Sequence, residues 1–404
     1  MKHVIIGVGA AGIAAARTIV AHKPGDEVIM ISEDEIVASR CMLHKYISGE
    51  REAETLDFAP DGFFENENVE WLGGISVTGI DASAGKVKCA GFDVGYDKLL
   101  IATGSLSSIP PVGALRTAKN VFGLRHFTDA KAIREAAGAA EKIVIIGGGL
   151  VGLDAAYALH ELRKDISIVD IAKRILTINL DEKAAGEYES RFAEAGCKFY
   201  LGLGVSDTKV DESGDITAIV LSDDTVLPCD MVIVAAGVRP ATALVEGSGI
   251  ECERAIKVDE RLATSCAGVY AAGDAAGLSG IWPNAMRQGT VAALNMCGVE
   301  SQYTDTFAVK NTVNFFGLVT LSVGALEPEE GDTVITQEDR GTYKKFILRD
   351  GCVAGVILQG DIKYSGFWQY LIKNRIKVDC IGKPIWKLSY ADFCKLSETG
   401  EYIW

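Results

Sequence analysis

The stretch His3-Val4-Ile5-Ile6-Gly7-Val8-Gly9-Ala10-Ala11-Gly12 decides the fold. An apolar run of buried-strand character meets three glycines spaced G-x-G-x-x-G, and an alanine-rich helical run over 13–21 follows. A second apolar strand, 27–31, ends at Ser32-Glu33. Each part has a physical task. Gly7 permits the tight turn, Gly9 lets backbone approach a pyrophosphate, and Gly12 lets the helix pack closely on the strand. The N–H groups at the helix start, around Ala10 and Ala11, offer donors and a positive dipole end to phosphate. Glu33, 26 residues after Gly7, is spaced to accept hydrogen bonds from the hydroxyls of an adenosine ribose.

The series then recurs. Residues 142–146 form a strand, Gly147-Gly148-Gly149-Leu150-Val151-Gly152 the turn, and 153–162 a helix; the strand 166–169 ends at Asp170. Gly147, Gly149 and Gly152, with Leu150 and Val151 between them, repeat the first cradle. The repeat predicts an α/β protein with two Rossmann-like dinucleotide-binding domains. It implies two different dinucleotides, or one site duplicated without use.

Composition sets the outer limits. A chain of 404 residues, 48% hydrophobic and 24% charged, has material for two or three domains with sizeable cores and is not a disordered chain. A net charge of -15 argues against nucleic-acid binding, because phosphate contacts need Lys/Arg surfaces. The ten cysteines, at 41, 89, 197, 229, 252, 266, 297, 352, 380 and 394, contain no CxxC. No metal site is expected from them, and most read as reduced, buried thiols of a cytoplasmic protein. The N-terminal apolar run is interrupted by Gly7, Gly9 and Gly12 and ended by Arg17, short of the ~18 residues of a membrane span. Neither a span nor a secretory leader is expected.

Three further motifs extend the pattern: Leu99-Leu100-Ile101-Ala102-Thr103-Gly104-Ser105, Ile233-Val234-Ala235-Ala236-Gly237-Val238-Arg239-Pro240, and Val269-Tyr270-Ala271-Ala272-Gly273-Asp274. With these, residues 1–320 resemble the two-dinucleotide flavoproteins: pyridine-nucleotide disulfide reductases, NADH oxidases, and rubredoxin or ferredoxin reductases. The resemblance implies FAD at the first glycine run and a nicotinamide dinucleotide at the second. It also implies a discontinuous FAD domain, 1–110 and 241–320, with an NAD(H) domain, 111–240, inserted in it. Ala102, Thr103, Gly104 and Gly237 then belong to junction strands beside the nucleotides. Gly273 and Asp274 stand at the ribityl chain of FAD, and Asn284 near the flavin. Asp170 favours NADH, because a carboxylate repels a 2′-phosphate, while Lys173 and Arg174 keep NADPH open. Asp154 occupies the position where the family usually has Glu beside the nicotinamide.

The electron acceptor would define the activity. The CxxxxC and CxxC pairs of disulfide and thioredoxin reductases are missing. The segment Ser39-Arg40-Cys41-Met42-Leu43-His44-Lys45-Tyr46-Ile47-Ser48-Gly49-Glu50 can be read in two ways. Arg40, Lys45 and Ser48-Gly49-Glu50 resemble rubredoxin and ferredoxin reductases and the flavin part of nitrite reductases, which implies Lys45 near the flavin and Arg40 at the cofactor. Cys41 resembles the single redox cysteine of NADH oxidases, NADH peroxidases and coenzyme A disulfide reductases. Met42 follows it where that subclass commonly has Gly, and no His stands in residues 7–12. The first reading implies a small acidic iron–sulfur carrier or iron–sulfur partner subunit, the second a thiol enzyme. A third, non-catalytic reading is a flavoprotein whose NADH binding alters a partner interaction.

Residues 321–404 carry no nucleotide motif. Strands over 343–348 and 352–359 about Arg349-Asp350-Gly351 predict a hairpin, and 367–376 a helix. Such a module implies an interface through which the chain would also oligomerise. Residues 340–404 hold eleven Lys/Arg against six Asp/Glu, a net of +5, leaving -20 on residues 1–339. Lys373, Arg375 and Lys377 are the candidates for docking an acidic carrier. Trp368 reads as core.

Overall fold

The twin glycine runs fold as twin units in a computed structural model, which describes residues 1–304, 307, 310–393, 395, 396, 398, 402 and 403. Cys394 lies outside the described residues. The helices are α1 (Ala10–His22), α2 (Leu43–Ile47), α3 (Phe127–Ala137), α4 (Leu150–Glu161), α5 (Glu182–Glu194), α6 (Trp282–Met296) and α7 (Ser365–Lys373). None is long and apolar enough to cross a membrane.

In the first unit Lys2–Ile6 lies at the centre of a five-stranded parallel sheet. Glu27–Ile31 and Val69–Leu72 lie on one side, Lys98–Ile101 and Val269–Ala271 on the other. Successive side chains point to opposite faces. Ile5, Met30 and Leu100 pack with α1 and α6, while Val4, Ile29 and Leu99 enter a second core with Ile80, Val87 and Val94 of an antiparallel ribbon. Because both faces are covered, the strands read as unbroken apolar runs.

The second unit repeats this plan. Its parallel sheet runs Lys198–Leu201, Asp165–Asp170, Lys142–Ile146, Met231–Val234, Val121–Gly123. The likeness extends beyond the glycines. In each unit a three-stranded antiparallel ribbon, within 77–95 or 205–228, leaves the sheet before the strand that returns beside the central one. Both glycine-run helices start three residues earlier than periodicity predicts, directly at Ala10 and Leu150. The chain passes between the units along paired antiparallel strands, Ser105–Ser107 and Val238–Pro240. Thr103 Oγ1 donates to the Ala241 carbonyl at 2.7 Å beside that crossing.

The C-terminal sheet is antiparallel and ordered Lys310–Phe315, Leu318–Gly324, Cys352–Gln359, Thr342–Arg349, Thr333–Asp339. Its hairpin turns at Asp350-Gly351, both at positive φ (53° and 76°), as a two-residue type I′ turn requires. α7 covers one face through Phe367, Trp368 and Leu371. It ends at Lys373 rather than 376, and Arg375 takes φ 50° just beyond.

The opposite face joins the second unit. Val313, Phe315, Leu318 and Ile357 share one core with Ala184, Tyr188 and Phe192 of α5. Buried polar contacts cross the same boundary. Tyr343 Oη donates to Asp181 Oδ2 at 2.8 Å, and Lys345 Nζ stands 3.1 Å from that oxygen. Gln359 Nε2 donates to the Ala184 carbonyl at 2.9 Å, and the Tyr188 hydroxyl lies 2.8 Å from the Leu318 carbonyl.

Candidate active site

Two turns of one design face each other. Gly7 N–H donates to the Ile31 carbonyl at 2.7 Å, and Gly147 N–H to Val169 at 2.8 Å, closing each strand–turn–strand unit. A Cβ on Gly7 would sit 2.3 Å from the Ala102 oxygen, and one on Gly12 1.9 Å from the Gly7 oxygen. Gly147 and Gly152 repeat these distances at 2.4 and 1.9 Å. Those four glycines therefore hold helix against strand. Gly9 and Gly149 differ: a Cβ on either meets nothing within 4 Å. Both are extended N-cap residues without a side-chain cap, so the first helical N–H groups keep free hydrogen-bonding capacity.

Both turns open into one cavity of about 770 Å³. Gly9, Ala10 and Ala11 line it from the first unit, and Leu150, Val151 and Asp154 from the second. Ala102, Gly104, Gly273 and Asp274 close one side, and Arg40, Cys41 and Lys45 another. The C-terminal hairpin adds Phe315 and Phe316. Of the remaining predicted positions, Gly7, Gly12, Gly147, Gly149, Gly152, Thr103, Gly237 and Asn284 do not line the cavity, nor do the two strand-end acids.

Polar groups in and around this cavity are left partnerless, which tests whether a large anionic cofactor suits it. Arg40 has no carboxylate within 4.0 Å among the described residues, and burial and then Arg125 push its guanidinium down to about 10. Arg125 Nε, Asn284 Nδ2 and Gln288 Nε2 are buried without acceptors. A dinucleotide carrying phosphates and hydroxyls fits this donor set and the open cradle at Gly9.

Arg125 was not legible from motifs. It follows the strand Val121–Gly123 and pairs with Asp274 across 149 residues of sequence. Ser105 Oγ donates to the same Asp274 oxygen at 2.7 Å, so the junction strand, the second unit and the third motif meet at one carboxylate. Gly289 on α6 was also missed: a Cβ there would lie 2.0 Å from the Ala11 oxygen. Gln288 accepts the Gly273 N–H at 2.7 Å.

The acceptor segment has a definite electrostatic arrangement. Lys45 Nζ donates to Glu50 Oε1 at 2.6 Å, and the bond holds Glu50 below the usual carboxylate range. Cys41 is exposed, but desolvation by the surrounding wall and then the charge of Asp154 raise its thiol. Burial pushes Asp154 up to about 7 and His44 down to about 4. Among the described residues no group of three or more His, Cys, Asp or Glu is arranged to hold a metal.

The two strand-end acids behave differently. Glu33 is exposed and makes no hydrogen bond or ion pair among the described residues. Asp170 accepts from Gly148 N–H at 2.6 Å and Ala172 N–H at 2.8 Å, which fixes the second turn. Arg174 is drawn away from the turn: Nη1 donates to the Leu180 carbonyl at 2.7 Å, and Nη2 lies 3.6 Å from Glu327.

Comparison with known proteins agrees with this geometry. A family model described as pyridine nucleotide-disulphide oxidoreductase matches residues 1–289, and one described as rubredoxin NAD+ reductase C-terminal domain matches residues 310–376. The chain is 30% identical over 389 residues to the NADH-dependent phenylglyoxylate dehydrogenase subunit epsilon of Aromatoleum evansii, covering 93% of this chain and 92% of that one. It is 27% identical to the NADH-rubredoxin oxidoreductase of Clostridium acetobutylicum, covering 89% and 91%. Among solved structures, the covalent putidaredoxin reductase–putidaredoxin complex superposes with a TM-score of 0.82 at 26% identity, over 93% of this chain and 94% of that chain.

Proposed function

Because the chain belongs to the pyridine nucleotide-disulphide oxidoreductase family and is an NAD(P)H-dependent FAD oxidoreductase, we propose that it passes electrons from NADH to an iron–sulfur carrier or partner subunit. Bound FAD supplies the redox centre, taking electrons in pairs and releasing them in pairs or singly. In this reading residues 1–110 and 241–320 hold FAD, except that Lys310–Phe315 and the strand beginning at Leu318 belong to the C-terminal sheet, 111–240 hold the nicotinamide nucleotide, and the C-terminal module is an interface. Gly9 and the N–H groups of Ala10 and Ala11 receive the FAD pyrophosphate, Arg40 adds charge, Glu33 takes the ribose hydroxyls, and Asp274 the ribityl chain. Gly149, Leu150 and Val151 do the same for the second pyrophosphate.

One observation carries the choice of acceptor. Among the described residues Cys41 is the lone cysteine lining the cavity, and its surroundings favour the thiol over the thiolate that redox cysteines need. The match of the C-terminal module to that of rubredoxin reductases supports the same side. Lys45 enters as half of an ion pair, so its field at the cavity is tempered by Glu50.

Two experiments test this reading. Cys41→Ser should keep most carrier-reducing activity, since transfer to an iron–sulfur centre needs no covalent intermediate. Reversing charge at Lys373, Arg375 and Lys377, all exposed, should raise the apparent constant for an acidic carrier and flatten its salt dependence, leaving NADH-to-dye activity unchanged. A loss of more than about tenfold in Cys41→Ser with its best acceptor (~1.4 kcal/mol of barrier), beside normal basic-face variants, would instead establish the thiol enzyme.

Dinucleotide choice is a third test. A 2′-phosphate would approach the Asp170 carboxylate while Arg174 is engaged elsewhere, leaving the exposed Lys173 as the adjacent cation. NADH should therefore exceed NADPH in kcat/KM by about tenfold or more, and Asp170→Ala should narrow the gap chiefly through KM for NADH. Equal kcat/KM values in the unaltered protein would defeat this assignment.

A further inference from the structure

Transfer from NADH to one-electron acceptors leaves a proton behind. The balance is NADH + 2 acceptor (oxidised) → NAD+ + H+ + 2 acceptor (reduced), so both electrons depart and one proton must reach water from a partly enclosed cavity. Resting on the electron-carrier reading above, we infer that Asp154 holds this proton in transit.

Asp154 lies one turn into α4 and lines the cavity that both glycine turns share. Its side chain is 31% exposed, and its carboxylate accepts no hydrogen bond among the described residues. The nearest basic group is His44 Nδ1 of α2, 3.8 Å from Asp154 Oδ1, which is beyond hydrogen-bond range. Of the other charged or titratable groups lining the cavity, Arg40 keeps its charge without a carboxylate partner, yet burial alone sets the direction of Asp154; the rest are committed or neutral. Lys45 is bonded to Glu50, and Arg125 to Asp274. Cys41 and Tyr157, which also line the cavity, are both raised by burial, and the hairpin contributes Phe315 and Phe316.

The consequence is a carboxyl that no permanent counter-charge fixes in either state. With His44 pushed down to about 4, the imidazole is neutral at neutral pH and does not clamp Asp154 as a carboxylate. Asp154, up at about 7, populates both forms in the range where it would work, which is the condition for efficient proton handling. The proton derives from the C–H bond that NADH gives up as hydride: once both electrons have passed to the acceptors it is taken up as an O–H bond at Asp154, and that bond breaks as the proton passes to solvent at the cavity mouth. No electron accompanies it.

The test uses the FAD-bound full chain with NADH and ferricyanide, a one-electron acceptor that needs no protein docking. Infrared difference spectra between about pH 5 and 9 should show a protonated-carboxyl band titrating near 7 that is missing in Asp154→Asn. The same variant should lose about tenfold or more in ferricyanide turnover, together with the inflection near pH 7 in its profile. His44→Gln should keep both the band and the inflection near pH 7, because His44 lies beyond hydrogen-bond range of Asp154 and carries no charge there. An Asp154→Asn protein that retains FAD, the band and the inflection overturns the inference. If that variant loses FAD, absence of a titrating band between about pH 6 and 8 in the unaltered protein overturns it instead. Failure to reduce any iron–sulfur carrier while the ferricyanide results hold would count against the proposed acceptor and not against Asp154.

Discussion

Gly9→Leu is expected to give a folded but colourless protein. Gly9 has φ -77° and ψ -170°, which any residue adopts, and its Cβ position meets nothing within 4 Å. The cost to the fold is thus limited to the poorer N-cap, about 1 kcal/mol. The leucine would nonetheless stand where the turn opens to the cavity, before the N–H groups of Ala10 and Ala11. FAD content should fall from about one per chain to below about a tenth, read from the flavin absorbance of purified protein. Far-ultraviolet circular dichroism should be unchanged. Full occupancy would remove the first glycine turn from the cofactor site.

Gly289→Val should do the opposite, losing the fold first and the cofactor as a result. A Cβ at Gly289 would stand 2.0 Å from the Ala11 oxygen and 2.9 Å from its Cα, and both belong to helix backbone. Relief requires α6 to withdraw from α1, opening a core that includes Ile13, Ala16, Ala292 and Ala293. A loss of about 3 kcal/mol or more is expected, read as a shift in the urea midpoint with FAD in excess. A midpoint within experimental error of the parent would show that the helices do not meet this closely.

These two glycines also show what the sequence makes legible. Gly9 stands in a pattern read from ten neighbouring residues, because a strand, a phosphate turn and a helix start are all local. The twin units, the parallel sheets and the Asp350-Gly351 turn were readable for the same reason. Gly289 sits in an ordinary helical stretch, and its need for a missing side chain comes from α1, far back in the chain. Arg125 is similar: nothing beside it announces that its partner is Asp274. Asp154 was placed by the motif, but its unpaired state depends on where α2 puts His44 and on Lys45 choosing Glu50. Such facts live in tertiary packing and leave no local periodicity.

The interleaving of the units bears on how the chain acquires its structure during synthesis. The sheet begun by residues 2–6 lacks its edge strand until 269–271 is made, and α1 lacks its cover until α6 follows. The second unit can close its own sheet by residue 234, but Tyr188 and Phe192 stay uncovered until Phe315 and Leu318 arrive. Neither unit therefore completes on the ribosome before roughly three-quarters of the polypeptide has emerged, so apolar surface stays open for much of translation. Nascent chains of this protein should lean on holdase chaperones more than a linear string of domains would.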